Sequence, residues 1–253
     1  MKNALDTLRR RAWTARSRAG LSGRRREDGL PLPPPHLIAL VAGTADVEWF
    51  LECGRLAVSA MARALASHGA AIDDREAILD FGCGCGRVTR HLREVPGRVH
   101  GTDIDASLVR WCRRKLRFGT FETNALRPPL DYPTATFDLV YAFSVFTHLP
   151  LELQRPWMDE LRRVSQPGGL VLITTHGEAF RPKLTPEEES RYEAGDLVVR
   201  NEQEAGGNEC AVFHPESWVR QHLADGLHIV AKDGWGAPGE PEQDLYLLQV
   251  GTS

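Results

Sequence analysis

Two kinds of hydrophobic pattern alternate along the middle of the chain. Short, continuous apolar runs, typical of buried strands, are each followed by a stretch with apolar positions at helical spacing. Strands are predicted at residues 77–81, 98–104, 137–146 and 170–175, and helices at residues 46–68, 86–95 and 106–116, with a further helix that ends near Pro167-Gly168-Gly169. Buried strands that alternate with helices predict a parallel sheet covered by helices on both faces.

The last third of the chain departs from this alternation. Residues 227–234 and 244–250 have the pattern of two strands joined by a Gly- and Pro-rich segment, and such a pair is expected to be antiparallel. Residues 177–214 are polar but contain two short strand signals on either side of Gly206 and Gly207. We predict an inserted hairpin or cap there, within one domain of residues 37–253, rather than a second domain.

The N-terminal segment differs in charge from the rest of the chain. Residues 1–30 contain nine Lys and Arg against three acids, whereas the whole chain of 253 residues has a net charge of −3. Residues 1–36 are therefore predicted to form a basic arm that ends in a proline-rich sequence. A solvated leader is the favoured interpretation, because the arm has few large apolar residues; contact with nucleic acid or an anionic surface is the alternative.

Composition disfavours several classes of protein. No apolar stretch is long enough to span a bilayer and no signal-peptide core follows the basic residues, while an Arg-rich organelle transit peptide stays open. The five cysteines are odd in number and scattered, which favours a reducing, cytoplasmic setting without a disulfide framework. The small net charge counts against nucleic acid as a partner of the whole protein, and the oligomeric state is left open.

A glycine-rich loop follows the first predicted strand. Its pattern, Asp80-x-Gly82-x-Gly84-x-Gly86, stands between a strand and a helix, where glycines permit a sharp turn and close approach of the backbone to a ligand. The dinucleotide fingerprint requires a third glycine where this chain has Arg87, which counts against a nicotinamide cofactor. A metal or redox role for the loop cysteines is also disfavoured, because the second cysteine pair of a structural zinc site is missing. No metal is therefore expected.

The sequence DFGCGCGR around this loop resembles motif I of the class I S-adenosylmethionine-dependent methyltransferases. Asp103 follows Gly82 by 21 residues, FDLVYAFSVFTHL resembles the fourth strand of that family, and LRRVSQPGGLVLITT resembles the approach to its fifth. The resemblance implies an α/β fold with a doubly wound, mostly parallel seven-stranded sheet and an antiparallel last strand, the Rossmann-like methyltransferase fold, here with an inserted cap. It also implies an enzyme that uses S-adenosyl-L-methionine as cofactor and a small-molecule acceptor as substrate.

The same resemblance assigns the cofactor site residue by residue. The three loop glycines are expected to line the methionine and ribose, Asp103 to bind the ribose hydroxyls and Ile104 to pack on the adenine, with Asn124 where the family often has an acid. Asp80 is expected to order the loop or to face the ammonium group, and Arg87 either meets the methionine carboxylate or faces solvent. The expected cofactor-binding residues are Asp80, Gly82, Cys83, Gly84, Gly86, Arg87, Asp103, Ile104, Asn124, Ala125 and Phe143.

Two histidines follow the fourth and fifth predicted strands, at the edge where ligands of such sheets bind. Methyl transfer to a hydroxyl needs a base in addition to in-line alignment, so His148 and His176 are the candidate catalytic residues. The alternative for each is a hydrogen bond to loop backbone, and His214 is a weaker candidate. Residues 141–148 contain no Asp or Glu, which disfavours a metal-assisted mechanism.

The acceptor is less well defined by the sequence. No NPPY-like, DPPY-like or Pro-Cys motif follows the fourth strand, which counts against methylation of nucleic-acid bases. A hydroxyl oxygen is favoured, under a roof formed by residues 177–214 and the helix from Asp46. The pattern SVFTHL…PGG…THG with the QDLYLL tail resembles methyltransferases found near sugar and secondary-metabolite genes, which implies a sugar or secondary metabolite as the acceptor. The alternatives are N-methylation of a small molecule or peptide, a non-catalytic S-adenosylmethionine-binding protein, and an NAD-dependent oxidoreductase.

Overall fold

A seven-stranded sheet forms the centre of the protein, and the computed structural model describes residues 29–235 and 242–252 of the chain. The strands of this sheet are β1 (Ala77–Phe81), β2 (Arg98–Asp103), β3 (Gly119–Thr123), β4 (Phe137–Ala142), β5 (Ser165–Thr175), β8 (Leu227–Trp235) and β9 (Gln243–Val250). Their order is β3-β2-β1-β4-β5-β9-β8, with β9 antiparallel to both of its neighbours and β1 to β5 paired in parallel. The predicted doubly wound sheet with an antiparallel last strand is confirmed.

Helices cover both faces of the sheet. The α-helices are α1 (Pro35–Ala42), α2 (Val47–Ser67), α3 (Ala106–Lys115), α4 (Leu151–Val164), α5 (Pro186–Glu193) and α6 (Glu216–Trp218), which continues as a π-helix over Val219–Leu223. Short 3₁₀ helices lie at Thr89–Leu92, Phe146–His148, Glu178–Lys183 and Glu202–Glu204.

Neighbouring residues of β1 show why the strands are apolar without alternation. Ile78 belongs to a buried cluster with Met61 of α2, whereas Leu79 belongs to a different cluster with Trp157 of α4. A strand with helices on both faces buries every side chain, so its sequence is a continuous apolar run.

The packed body of the protein begins before residue 37. Helix α1 starts at Pro35, and Leu30 and Leu32 pack against the cluster that joins α1 to α3. Arg90 also donates a hydrogen bond to Pro31 O at 3.3 Å. The boundary predicted after residue 36 therefore falls inside packed structure, because proline and charge patterns do not reveal which side chains are buried. Residues 1–28, which carry the basic charges of the predicted arm, lie outside the described residues.

The helix predicted at residues 86–95 is reduced to the 3₁₀ helix Thr89–Leu92. An amphipathic helix would leave one side exposed, but consecutive side chains here are buried, including Val88, Thr89 and Arg90. Helix α2 also approaches this segment closely, since a Cβ at Gly54 would lie 2.0 Å from Arg87 O. Tertiary packing on several sides replaces the regular helix that the local spacing favours.

Two element boundaries also differ from the prediction. Strand β4 ends at Ala142, because Ser144 has a φ of 58° and turns the chain. The backbone amide of Ser144 donates a hydrogen bond to Thr174 Oγ1 at 2.8 Å. Helix α4 ends at Val164 and β5 begins at the next residue, so Pro167-Gly168-Gly169 lies inside the strand rather than at the helix end.

The two antiparallel pairs predicted in the last third of the chain are confirmed. Strand β6 (Val198–Arg200) pairs with β7 (Ala211–Phe213) in a separate two-stranded sheet within residues 177–214, and β8 pairs with β9. A parallel bridge between His176 and Phe213 joins this hairpin to the end of β5. The insertion is thereby fixed to the sheet edge where a ligand is expected.

Candidate active site

The carboxyl ends of the parallel strands open into a large cavity. The order of strands reverses between β1 and β4, and the loops on either side of such a switch point leave a crevice between them. The cavity has a volume of about 1150 Å³, above the usual range for one drug-sized ligand. It therefore has room for two ligands side by side. Its wall is formed by the loops after β1, β2, β3, β4 and β5, by helix α1 and by residues 203–209.

Three left-handed glycines shape the loop after β1. Gly82, Gly84 and Gly86 have φ values of 80°, 56° and 78°. A Cβ at Gly82 would lie 2.3 Å from Val145 Cγ2, and one at Gly84 would lie 2.7 Å from Val41 Cγ2, so neither position has room for a side chain. Gly82 and Gly84 line the cavity, whereas Gly86 faces helix α3.

Asp80 lies beneath the loop and is not on the cavity wall. Its carboxylate accepts a hydrogen bond from the Thr89 hydroxyl, and burial raises the pKa of Asp80 to about 7. Of the two roles predicted for Asp80, its position supports that of ordering the loop.

The loop cysteines also face inward. The buried thiols of Cys83 and Cys85 donate to Gly84 O and Leu37 O, each at 3.7 Å. A contact with Cys112 and burial raise the pKa of the Cys83 thiol, and burial raises that of Cys85, so both stay protonated. Across residues 29–235 and 242–252 no three His, Cys, Asp or Glu side chains are grouped to hold a metal ion. The loop is crowded, and cysteine provides a small, neutral side chain at both positions.

Asp103 stands at the end of β2 and lines the cavity. Its Oδ2 accepts from Gly84 N at 2.8 Å, and its Oδ1 accepts from Asp105 N at 2.9 Å. Burial raises its pKa, although the two amide hydrogen bonds oppose the shift. Each carboxylate oxygen keeps a further lone pair, so this group can accept hydrogen bonds from a pair of hydroxyls.

The next residues along the chain form an apolar cleft with one polar group. Ile104 and Leu126 are large, apolar and about two-fifths exposed on the cavity wall. Between them Asn124 directs Nδ2 to Ala125 O at 2.8 Å, which leaves its buried Oδ1 without a partner. A flat apolar ring with an amino group would fill this cleft and pair with the free oxygen. Ala125 does not line the cavity, and its carbonyl oxygen accepts the hydrogen bond from Asn124 Nδ2.

Arg87 is the only Arg or Lys among the described residues that line the cavity. Burial lowers its pKa, but a guanidinium remains cationic at neutral pH. A carboxylate on a ligand in this cavity could therefore pair with Arg87. Of the two roles predicted for Arg87, this position favours contact with the methionine carboxylate over exposure to solvent. Phe143, at the end of β4, lines the cavity as well.

The two candidate catalytic histidines also line the cavity, with their rings near each other. His148 lies at the end of a 3₁₀ helix after β4 and His176 lies after β5, with ring centroids 6.3 Å apart. His148 Nδ1 is 2.6 Å from Cys210 O, and His176 Nδ1 is 3.1 Å from Val212 O. The backbone hydrogen bond expected as an alternative is therefore present, to a loop carbonyl for His148 and to a β7 carbonyl for His176, but it uses only one ring nitrogen.

Burial keeps both rings neutral. It lowers the pKa of His148, and it lowers that of His176 to about 3 with a further contribution from the neighbouring His148. A carbonyl oxygen can only accept, so each Nδ1 carries the hydrogen and each Nε2 keeps its lone pair. Both rings are thus in the form that accepts a proton from a ligand.

His214 has a structural role rather than a place on the wall. It is fully buried, and its Nε2 is 3.2 Å from Gln154 Oε1, while the Gln154 amide group donates to Phe146 O and Leu149 O. Burial lowers the pKa of His214 to about 3.

Several wall residues were missed by the sequence analysis. Helix α1 contributes more to the wall than the predicted roof helix, from which only Trp49 and Cys53 line the cavity. Pro35 in the first turn and the left-handed Gly43 at the end were signals for this helix. Ser144 and Gln243 also line the cavity as a hydrogen-bonded pair, with Gln243 Nε2 2.9 Å from Ser144 Oγ, and no local pattern joins residues so far apart.

The arrangement of donors and acceptors fits S-adenosyl-L-methionine. The orphaned Asn124 oxygen suits the adenine amino group, Asp103 suits two ribose hydroxyls, and Arg87 suits the carboxylate. The histidine end of the cavity is left for an acceptor.

Comparison with known proteins agrees with this fit. Residues 78–169 match a family described as "Methyltransferase domain". The chain is 27% identical over 109 residues to a phosphoethanolamine N-methyltransferase of Plasmodium falciparum, a match that covers 42% of this chain and 41% of that protein. It is 35% identical over 103 residues to a probable S-adenosylmethionine-dependent methyltransferase of Mycolicibacterium smegmatis, a match that covers 39% of this chain and 37% of that protein. The similarity thus spans well under half of each curated relative.

Solved structures share the fold over a larger part of the chain. A 1,6-didemethyltoxoflavin-N1-methyltransferase of Burkholderia thailandensis, determined with S-adenosylhomocysteine, matches with a TM-score of 0.59 and 18% identity, covering 87% of this chain and 92% of that one. A magnesium protoporphyrin IX methyltransferase of Synechocystis, determined with the same ligand, matches with a TM-score of 0.56 and 18% identity, covering 81% of this chain and 87% of that one. Within the described residues, no helix is long and apolar enough to cross a membrane.

Proposed function

Because the chain belongs to the class I S-adenosylmethionine-dependent methyltransferases, we propose that it methylates a hydroxyl oxygen of a small molecule with His148 as the base. The cofactor, when bound, supplies a methyl group on a positively charged sulfur. Asp103, Asn124 and Arg87 would hold its ribose, adenine and carboxylate.

The protonation state of His148 carries this proposal. A hydroxyl is a poor nucleophile at neutral pH because its pKa is far above 7, so its proton must pass to a base. His148 Nδ1 is fixed as a donor by Cys210 O at 2.6 Å, and burial keeps the ring neutral. Nε2 is therefore ready to take a proton from an acceptor in the cavity.

The second histidine also suits a hydroxyl acceptor. His176 is held in the same form by Val212 O, and its ring stacks on Phe180 with centroids 4.1 Å apart. His176 serves as a second hydrogen-bonding partner for the acceptor, or as the base if the acceptor lies nearer β5.

N-methylation of a small molecule is the second candidate. It is supported by two of the similar proteins, which are described as a phosphoethanolamine N-methyltransferase and a toxoflavin-type N1-methyltransferase. A neutral amine needs only alignment with the methyl group, so neither histidine would be essential.

The two remaining alternatives have less support. A nicotinamide cofactor is disfavoured by Arg87 at the third glycine position and by the family to which the chain belongs. A non-catalytic S-adenosylmethionine-binding protein would have no use for a pair of neutral, oriented imidazoles on the wall of a cavity with room for two ligands.

The deciding experiment is a methyl-transfer screen with methyl-labelled S-adenosylmethionine against sugars, phenols and amines. With the acceptor found, His148→Ala is expected to lower kcat by roughly 10²–10⁴-fold with little change in affinity for S-adenosylhomocysteine. The exposed His228 of β8 provides a matched control, and His228→Ala should keep full activity.

The pH profile separates the two candidates. For O-methylation, kcat should rise with pH through the lowered pKa of His148, because the neutral ring is the active form. Full activity in both His148→Ala and His176→Ala, with a profile that follows the pKa of an amine substrate, would establish N-methylation instead.

A further inference from the structure

One loop of the insertion touches the predicted adenine cleft and the predicted base at the same time. This hairpin loop, residues 201–210, connects β6 to β7. Gly206 N donates to His148 O at 2.8 Å, and Cys210 O is 2.6 Å from His148 Nδ1. The loop therefore holds His148 twice, by its main chain and by its ring.

On its other side the hairpin loop rests on the apolar cleft after β2 and β3. Gly206 has a φ of 78°, and a Cβ there would lie 2.6 Å from Ile104 Cδ1 and 3.1 Å from Leu126 Cδ1. The backbone thus approaches these two side chains as closely as only glycine allows. Asn208 extends the contact to helix α1 by donating from Nδ2 to Leu40 O.

Internal hydrogen bonds connect the part of the hairpin loop at Gly206 to the part at Cys210. Gly207 N donates to Glu204 O at 3.0 Å and Cys210 N donates to Gly207 O at 3.1 Å. The left-handed Asn201 closes the base of the loop by donating from Nδ2 to Glu209 O at 2.8 Å. A displacement at Gly206 would therefore also move the carbonyl of Cys210.

We propose that the hairpin loop is a positioning element that couples occupancy of the adenine cleft to the orientation of His148, with Gly206 as its positioning residue. The proposal rests on the proposed role of His148 as base. A ligand that packs on Ile104 and Leu126 presses against the loop, and the loop holds the ring of His148 with Nε2 free. The base is then correctly oriented when the cofactor cleft is filled.

The charged groups that face His148 do not provide this link. Arg87 acts on the ring through its charge, and the neighbouring His176 is itself held neutral by burial. Neither is bonded to the ring in the way that Cys210 O is, so the loop carbonyl is the contact that selects the tautomer.

The test is nuclear magnetic resonance of ¹⁵N-labelled histidine rings in the full chain, with and without S-adenosylhomocysteine, and it needs no acceptor. In the wild type, His148 should be the Nδ1–H tautomer, and the ligand should shift its ring signals. In Gly206→Ala the new methyl group displaces Ile104 or the loop, so the tautomers should mix and ligand affinity should fall by about fivefold or more.

Three further variants keep the test decisive. Asn201→Gly keeps the left-handed backbone but removes the brace to Glu209 O, so the tautomer of His148 should mix while ligand affinity stays within about twofold. Adding Ile104→Val to Gly206→Ala removes the colliding Cδ1 and should recover part of the change in the ring signals, because the contact with Leu126 Cδ1 and the φ of 78° remain. Gly195→Ala, at a φ of 89° elsewhere in the insertion, is the control for backbone strain and should leave them unchanged.

An unchanged tautomer and an unchanged ligand-induced shift in Gly206→Ala and Asn201→Gly would overturn the proposal. If Gly206→Ala does not fold, Asn201→Gly decides alone. Failure of the wild type to bind S-adenosylhomocysteine would instead count against the proposed cofactor, and the tautomer measurement without ligand would still report on the loop.

Discussion

His148 and His176 are each held through Nδ1 by a carbonyl in or beside β7. Cys210 O holds His148 and Val212 O holds His176, while His214 N donates to His176 O at 2.8 Å. Residues two apart in a strand direct their backbone groups to the same edge, so residues 210, 212 and 214 present one row of partners. Two imidazoles are thereby oriented by a single strand edge.

Asp103 offers a direct test of the cofactor site at the scale of one residue. Asp103→Ala is expected to weaken S-adenosylhomocysteine binding by on the order of 1.5–3 kcal/mol, because hydrogen bonds from the ribose to a charged carboxylate are lost. Isothermal titration calorimetry measures the change. Asp131→Ala, at an exposed position away from the cavity wall, is the control. An unchanged dissociation constant in a folded Asp103→Ala protein would contradict the assignment.

The elements around the glycine loop show how a short helix contributes to ligand binding. Helix α1 places Val41 against Gly84, and Leu37 O accepts from the thiol of Cys85, so the loop is held between α1 and the sheet. Asp103 holds the same loop from β2 through Gly84 N. The loop is thus shaped by two elements, α1 and β2, that are far apart in the chain.

This packing gives a prediction at the scale of elements. Gly84→Ala should destabilise the fold and lower affinity for S-adenosylhomocysteine, because its Cβ would lie 2.7 Å from Val41 Cγ2 and its φ is 56°. The expected cost in the free energy of unfolding is about 1–3 kcal/mol. Adding Val41→Ala removes the collision and should recover part of the loss, as measured by urea denaturation and calorimetry. The absence of any recovery would show that backbone strain alone causes the loss.

At the scale of the whole molecule, the buried histidines make stability depend on pH. His214 is held neutral with a pKa of about 3, whereas a histidine in the unfolded chain titrates near 6.5. Below about pH 6.5 the unfolded state binds a proton that the folded state does not. The free energy of unfolding is therefore highest above that pH and falls as the pH decreases.

His214→Gln isolates this contribution, because glutamine can donate to Gln154 Oε1 without titrating. Between pH 7 and pH 5, the wild type should lose about 2 kcal/mol more of its free energy of unfolding than the variant. Urea denaturation at the two pH values measures the difference, and the exposed His228→Gln should behave as the wild type. Equal losses in wild type and His214→Gln would show that His214 is not held neutral in the folded state.

Local sequence patterns are sufficient to define the sheet and the residues along its carboxyl edge. Continuous apolar runs identify buried strands, and the residues after them, such as Gly82, Asp103 and Asn124, must lie at the carboxyl edge of a parallel sheet. Because each of these signals is local, it could be read without knowing which elements pack together. The positions of His148 and His176 followed from the same argument.

Features that depend on packing partners required the tertiary structure. The segment around Thr89 is buried on several sides and forms a short 3₁₀ helix, although its spacing favours a longer helix. The sequence places Gly206 between two strand signals, but its contact with Ile104 and its bond to His148 O join residues that no periodicity relates. Local patterns record how much of a side chain is buried, whereas the identity of the neighbour depends on how distant segments fit together.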